Sequence, residues 1–131
     1  MADRILIIDD EWAIAQALCA RLAAHGFQPK SEPDGPRGIA AARALRPDAI
    51  LLDVRMPGMS GFEVLSQLQS DPALAGIPVI FVTANVQDTA RAEAKACGAA
   101  GFFCKPYDPV ELVAALRTAI QASRKGSGAA A

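Results

Sequence analysis

Short apolar runs alternate with longer amphipathic stretches along the chain. Arg4–Asp9 (RILIID) is a branched run ending in acids, and predicts a buried strand. Glu11–His25 carries Ile14, Leu18 and Leu22 at helical spacing, and Gly26 follows as a left-handed stop. Phe27–Glu32 predicts a weaker strand nearer a sheet edge, because Pro29 cannot donate to a ladder. Gly38–Leu45 reads as a second helix, halted before Pro47. Asp48–Asp53 (DAILLD) is a buried strand, and Met56–Ser60 is a Pro/Gly turn. Gly61–Gln69 is a third helix, with Phe62, Leu65 and Leu68 on one side. Ile77–Thr83 is the strongest strand pattern. Gln87–Cys97 predicts an alanine-rich fourth helix ended by Gly98, and Ala100–Cys104 a fifth strand. Pro109–Ala122 completes the series as a fifth helix, with Leu112, Val113, Leu116 and Ile120 on its apolar face.

Five strands in strict alternation with five helices predict an α/β domain. Strands apolar along their whole length require cover on both faces, which means a parallel sheet between two helical layers. Right-handed crossovers leave few topologies. A flavodoxin-like, doubly wound (βα)5 sheet of order 2-1-3-4-5 is the natural five-strand solution. Order itself is not readable from periodicity.

Composition narrows the picture further. The 131 residues fit one domain, and a hydrophobic fraction of 52% supports a packed core. The net charge of −1 offers no electrostatic footprint for nucleic acid or for an anionic membrane surface. Cys19, Cys97 and Cys104 lack metal-ligand spacing and read as small hydrophobes kept reduced. No apolar run approaches the roughly 20 residues of a membrane span, and the first residues lack a charged-then-apolar pattern, so no leader is expected. A soluble, cytoplasmic protein is expected. The domain is expected to occupy residues 1–123, with 124–131 a flexible tail, linker start or expression scar. No output domain is recognisable.

Ligands of such sheets bind beyond the carboxyl ends of the strands. Asp9, Asp10 and Glu11 end the first strand, Asp53 the third and Thr83 the fourth, and Lys105 follows the fifth. Two carboxylates about 4 Å apart repel by roughly 4 kcal/mol at an effective dielectric near 20. A hard dication with oxygen ligands, such as Mg²⁺, offsets that repulsion, and the lysine adds a second positive charge. Such a set suits phosphoryl transfer, in which positioning and charge neutralisation do most of the catalysis. A carboxylate is itself a competent nucleophile for phosphoryl groups.

Asp9-Asp10, LLDVRMPGMSGFEVL around Asp53, FVTAN with Thr83 and Lys105-Pro106 together resemble response-regulator receiver domains of bacterial two-component signalling, of a chemotaxis-regulator-like kind. The resemblance covers roughly residues 4–122. It implies that Asp53 is the phosphoacceptor. It implies that Asp10 and Asp53 hold Mg²⁺ directly, Asp9 largely through water, and that the backbone carbonyl of Arg55 completes the protein ligands. Lys105 would pair with Asp53 or its phosphoryl oxygens, and Thr83 would move to bond the phosphoryl group. Phe102 takes the switch-aromatic position, where it lacks the hydroxyl of the commoner tyrosine. Pro106 would follow a cis peptide bond. Arg55 and Asn85 flank the site at positions that vary in the family. Whether Arg55 contacts the phosphoryl group or faces solvent stays open.

Each piece also has a plainer reading. Asp9 and Asp10 share a pocket only if the strand has ended before them, since adjacent strand residues face opposite ways. Thr83 and Lys105 taken singly are a strand-end hydroxyl and a surface charge, and Phe102 is core packing. Trp12 is expected to serve as scaffold, and His25 to interact with a helix C-terminus.

The resemblance implies a signalling switch rather than an enzyme with an external substrate, catalysing only its own phosphorylation and slow dephosphorylation. Its donor would be a sensor histidine kinase or a histidine phosphotransfer protein. Its effector would bind the face formed by the fourth helix, fifth strand and fifth helix. It would be a monomer or a phosphorylation-dependent dimer, without direct nucleic-acid or membrane binding. A docking module that is never phosphorylated is the alternative. A flavin carrier fits poorly, because the acids after the first strand would repel the flavin phosphate.

Overall fold

The computed structural model describes residues 2–84 and 88–130. Among them, five strands alternate with five helices: β1 (Arg4–Ile8), α1 (Trp12–Ala24), β2 (Gln28–Glu32), α2 (Gly35–Leu45), β3 (Ala49–Leu52), α3 (Gly61–Ser70), β4 (Val79–Thr83), α4 (Asp88–Ala96), β5 (Gly101–Cys104) and α5 (Pro109–Ala130). The strands form one parallel sheet of order β2-β1-β3-β4-β5, the expected doubly wound topology.

The continuous apolar strands are explained by cover on both faces. Every residue of Ile5–Ile8 and Ala49–Leu52 is at most 1% exposed. Alternate residues serve opposite layers. Leu6, Ile8, Ile50, Leu52 and Phe81 pack against α2 and α3, with Ala94 of α4. Ile5, Ile7, Leu51, Ile80 and Val82 pack against Leu18 and Leu22 of α1 and Leu112, Leu116 and Ile120 of α5. Burying a side chain of this size stabilises by about 1.5–3 kcal/mol, so the two layers supply the main driving force for folding. Pro29 lies on β2, an edge strand, as its missing N–H requires.

Local chemistry sets the helix limits. α2 begins one turn earlier than periodicity suggests. The Asp34 carboxylate accepts from the Arg37 N–H at 2.8 Å, and Pro36 lies in the first turn, where its absent N–H costs nothing. Gly26 closes α1 at φ 89°, and the preceding His25 ring contacts the Arg21 carbonyl at 2.9 Å. α5 runs past the expected Ala122. Ser123 Oγ donates to the Gly76 carbonyl, and Arg124 pairs with Asp3 and Asp48, tying this turn to the sheet's opposite end. Cys19, Cys97 and Cys104 are free, half-buried thiols. Among the described residues, no helix is long and apolar enough to cross a membrane.

Candidate functional site

The rim beyond the strand ends is shaped by the last rungs of the sheet. β1 stops at Ile8, so Asp9 and Asp10 escape strand alternation and turn to the same pocket. Ladder-like bonds still hold the rim backbone. The Asp9 N–H donates to the Glu32 carbonyl at 3.1 Å, Asp53 to Ile8 at 3.0 Å and Lys105 to Thr83 at 2.8 Å. Three reactive side chains therefore leave a rigid frame.

Below Asp53, the Pro/Gly turn places α3 hard against the rim. Gly58 sits at φ 84°, a value that suits glycine. The Gly61 N–H donates to the Val54 carbonyl at 2.8 Å, and Ser60 caps α3 by accepting from Glu63. A Cβ on Gly61 would overlap the Asp53 carbonyl oxygen, so only glycine permits this approach.

Asp9, Asp53 and Thr83 are the buried polar residues of the described chain, at 6%, 5% and 1% exposure. Lys105 Nζ donates to Asp9 Oδ2 at 2.8 Å and to Asp53 Oδ2 at 3.3 Å, and lies 3.8 Å from Glu11 Oε1. The Arg55 N–H donates to Asp53 Oδ1 at 3.3 Å, and Thr83, at the end of β4, lies close enough to lower the Asp53 carboxyl. The Lys105–Pro106 peptide bond is cis, as expected. Burial raises the Asp53 carboxyl above the ordinary range. The Lys105 charge opposes this, the Asp9 charge adds to it, and Thr83 and the Arg55 hydrogen bond oppose it. Burial acts to lower Lys105, but the Asp9 hydrogen bond and the two carboxylate charges together outweigh it and hold the ammonium above its usual value.

Asp9, Asp10 and Asp53 can each offer an oxygen within 4.8 Å of the others, with Asp10 exposed and the other two buried. Three hard carboxylate oxygens facing an open side fit a divalent cation such as Mg²⁺. The pocket combines a buried nucleophilic carboxylate, a fixed cation, a hydroxyl and a dication-compatible acid cluster.

Other expectations fare differently. Phe102 does not enter the pocket. Its ring packs 6.3 Å from that of Phe81 and lies under the Arg91 guanidinium. The Arg55 side chain is exposed. Asn85 lies outside the described residues. Trp12 overturns its scaffold expectation, being 73% exposed at the start of α1, because Ala15, Leu18 and Leu22 fill that helix's inner face. Glu11 joins the Lys105 ion pairs, which its place after the two aspartates could have signalled. Arg91 carried no sequence signal, since its partners lie on another element.

The sequence profile described as Response regulator receiver domain matches residues 5–117. The chain is 42% identical over 118 residues to the response regulator PleD of Caulobacter vibrioides, covering 90% of this chain and 26% of PleD. It is 36% identical over 121 residues to the DNA-binding response regulator MtrA of Mycobacterium tuberculosis, covering 92% of this chain and 52% of MtrA. The chain therefore spans between about a quarter and a half of these relatives. Its fold matches the chemotaxis protein CheY4 of Vibrio cholerae with a TM-score of 0.84 at 29% identity, over 91% of this chain and 99% of CheY4. The chain belongs to the response regulator receiver domain family.

Proposed function

We propose that this receiver domain of a two-component response regulator accepts a phosphoryl group on Asp53 from a phosphohistidine donor, in a Mg²⁺-dependent step, and thereby changes the surface it presents to a partner. The observation carrying this reading is the position of Asp53. It is buried at a strand end, bonded at once to Lys105 and the Arg55 N–H, and flanked by the buried Thr83. A structural carboxylate gains little from such a costly setting, whereas a nucleophile gains orientation.

An Asp53 oxygen forms the new bond to phosphorus as the phosphorus–nitrogen bond of the donor breaks, and the imidazole leaves with the electron pair. Asp10 and Asp53 would ligate Mg²⁺, with the Arg55 carbonyl, and Asp9 would act largely through water. When bound, Mg²⁺ supplies positive charge to the oxygens of the transferred group. Lys105 holds a second cation against those oxygens, and its raised affinity for the proton keeps it charged throughout the neutral range. Thr83 moves to bond a phosphoryl oxygen. That movement frees space beneath β4 and β5, and Phe102 responds by packing alone, having no hydroxyl. The α4–β5–α5 face then engages an effector, with the donor a sensor histidine kinase or phosphotransfer protein. The domain acts on no external substrate. It loses the phosphoryl group by slow hydrolysis, and works in the cytoplasm without direct contact with nucleic acid or membrane.

Intact-mass analysis after treatment with acetyl phosphate tests the reading. One phosphoryl adduct on the wild type with Mg²⁺, and none on Asp53→Asn or without Mg²⁺, is the expected result. An adduct of equal yield on Asp53→Asn would overturn the assignment. No adduct from acetyl phosphate or from a phosphohistidine donor, together with failure to bind Mg²⁺, would favour the docking module.

A further inference from the structure

α4 is held to the sheet unequally along its length. Its described buried side chains are only Ala90 and Ala94, so its hydrophobic anchorage is slight. Its C-terminal end is fixed separately, since Gln69 Nε2 of α3 donates to the Cys97 carbonyl at 2.6 Å. The N-terminal half has no comparable backbone tie among the described residues. There Arg91 reaches across to β5 and makes two contacts. Its guanidinium carbon sits 4.9 Å from the centre of the Phe102 ring, and Nη2 lies 3.6 Å from Cys104 Sγ. Phe102 and Cys104 stand two residues apart on one face of β5, so a single side chain spans both. The Phe102 ring also meets that of Phe81, tilted by 50° at 6.3 Å between centroids. Phe102 has no polar group to fix it, and stacking is the one directional interaction available to its outer face.

We infer that Arg91 is a positioning residue for Phe102: by clasping the ring and the Cys104 thiol it holds the first turns of α4 on β5 and opposes departure of the ring from its present place. The clasp is a property of the unphosphorylated chain. Its consequence for switching rests on the proposed receiver function. A ring that turns must give up the guanidinium, so Arg91 biases the domain towards the arrangement seen here, and phosphorylation must overcome that bias. Lysine does not replace it, because an ammonium keeps the charge but not the planar stack.

The test uses the full chain with 4-fluorophenylalanine at position 102, read by ¹⁹F NMR, alongside hydrogen exchange of α4. Without any phosphodonor, Arg91→Ala is expected to move the fluorine resonance and to speed exchange in the first turns of α4 about fivefold, corresponding to about 1 kcal/mol. Exchange in α2 and α3 stays unchanged, and Arg91→Lys falls between Arg91→Ala and wild type. With acetyl phosphate and Mg²⁺, at equal phosphoryl occupancy by mass, Arg91→Ala shows about fivefold more of the shifted resonance relative to the unshifted one. An unmoved fluorine signal in Arg91→Ala overturns the clasp, as does faster exchange throughout the chain, which would mark a purely structural role. Absence of a wild-type adduct with acetyl phosphate and with a phosphohistidine donor would instead defeat the receiver reading, and the unphosphorylated comparison would still decide the clasp. An adduct with identical resonance ratios in both proteins overturns the effect on switching.

Discussion

Replacing Asp53 by asparagine sets two opposing forces against each other. At an effective dielectric near 20, the Lys105 ammonium at 3.3 Å attracts the Asp53 carboxylate by about 5 kcal/mol. The Asp9 oxygen, within 4.8 Å, repels it by at least about 3.5 kcal/mol. The charges therefore leave a net attraction of no more than about 1.5 kcal/mol, against a desolvation cost of several kcal/mol for a buried ion. Desolvation wins, in agreement with the raised Asp53 carboxyl. The isosteric amide removes that cost and can keep accepting from the Arg55 N–H. Asp53→Asn is expected to stabilise the metal-free domain by about 1–2 kcal/mol near neutral pH, or roughly 3–10 °C in Tm. Because the folded-state value is raised, the wild-type penalty is complete above it and shrinks as pH falls through it. The penalty disappears below the ordinary carboxylate value of 3.8. Urea unfolding in a metal chelator, at neutral and acid pH, reads both effects. A less stable Asp53→Asn at neutral pH would refute the reasoning, since the lysine attraction would then dominate. So would a gain that does not shrink in acid.

Lys105→Met removes the counter-charge of two buried carboxylates, and is expected to cost about 3 kcal/mol near neutral pH. The raised Lys105 value keeps the wild-type contribution intact until pH climbs through it, so the loss stays constant across the neutral range and narrows only in acid, as the carboxylates protonate; an unfolding titration giving less than about 1 kcal/mol would contradict the ion-pair geometry. Mg²⁺ at a hundredfold excess over its Kd should stabilise the wild type by about 2.7 kcal/mol and Asp10→Asn by much less, as thermal melts would report. Equal stabilisation would remove Asp10 from the ligands. Gly61→Ala forces a Cβ onto the Asp53 carbonyl, so a loss of about 1–3 kcal/mol and slower adduct formation are expected, and normal values of both would show that α3 can recede without cost.

The strands and helices were legible in the sequence because each advertises itself locally. Apolar runs such as RILIID and DAILLD admit little but a strand covered on both faces, and Leu112, Val113, Leu116 and Ile120 trace one side of a helix. The acids, Thr83 and Lys105 were legible as candidates because each ends a strand or follows one, and a parallel sheet brings all such ends to one edge. Helix limits were less legible, since the Asp34 cap and the Arg124 ion pairs act outside the apolar pattern. The ordering of charges within the rim was not legible at all. Tertiary structure decided that Lys105 lies nearer Asp9 than Asp53, that Asp10 stays exposed and that Trp12 faces solvent. It also decided that Arg91 meets Phe102. Periodicity reports which side of an element is buried; it carries no information on which charged or aromatic tips converge, because those distances depend on how separate elements dock in three dimensions.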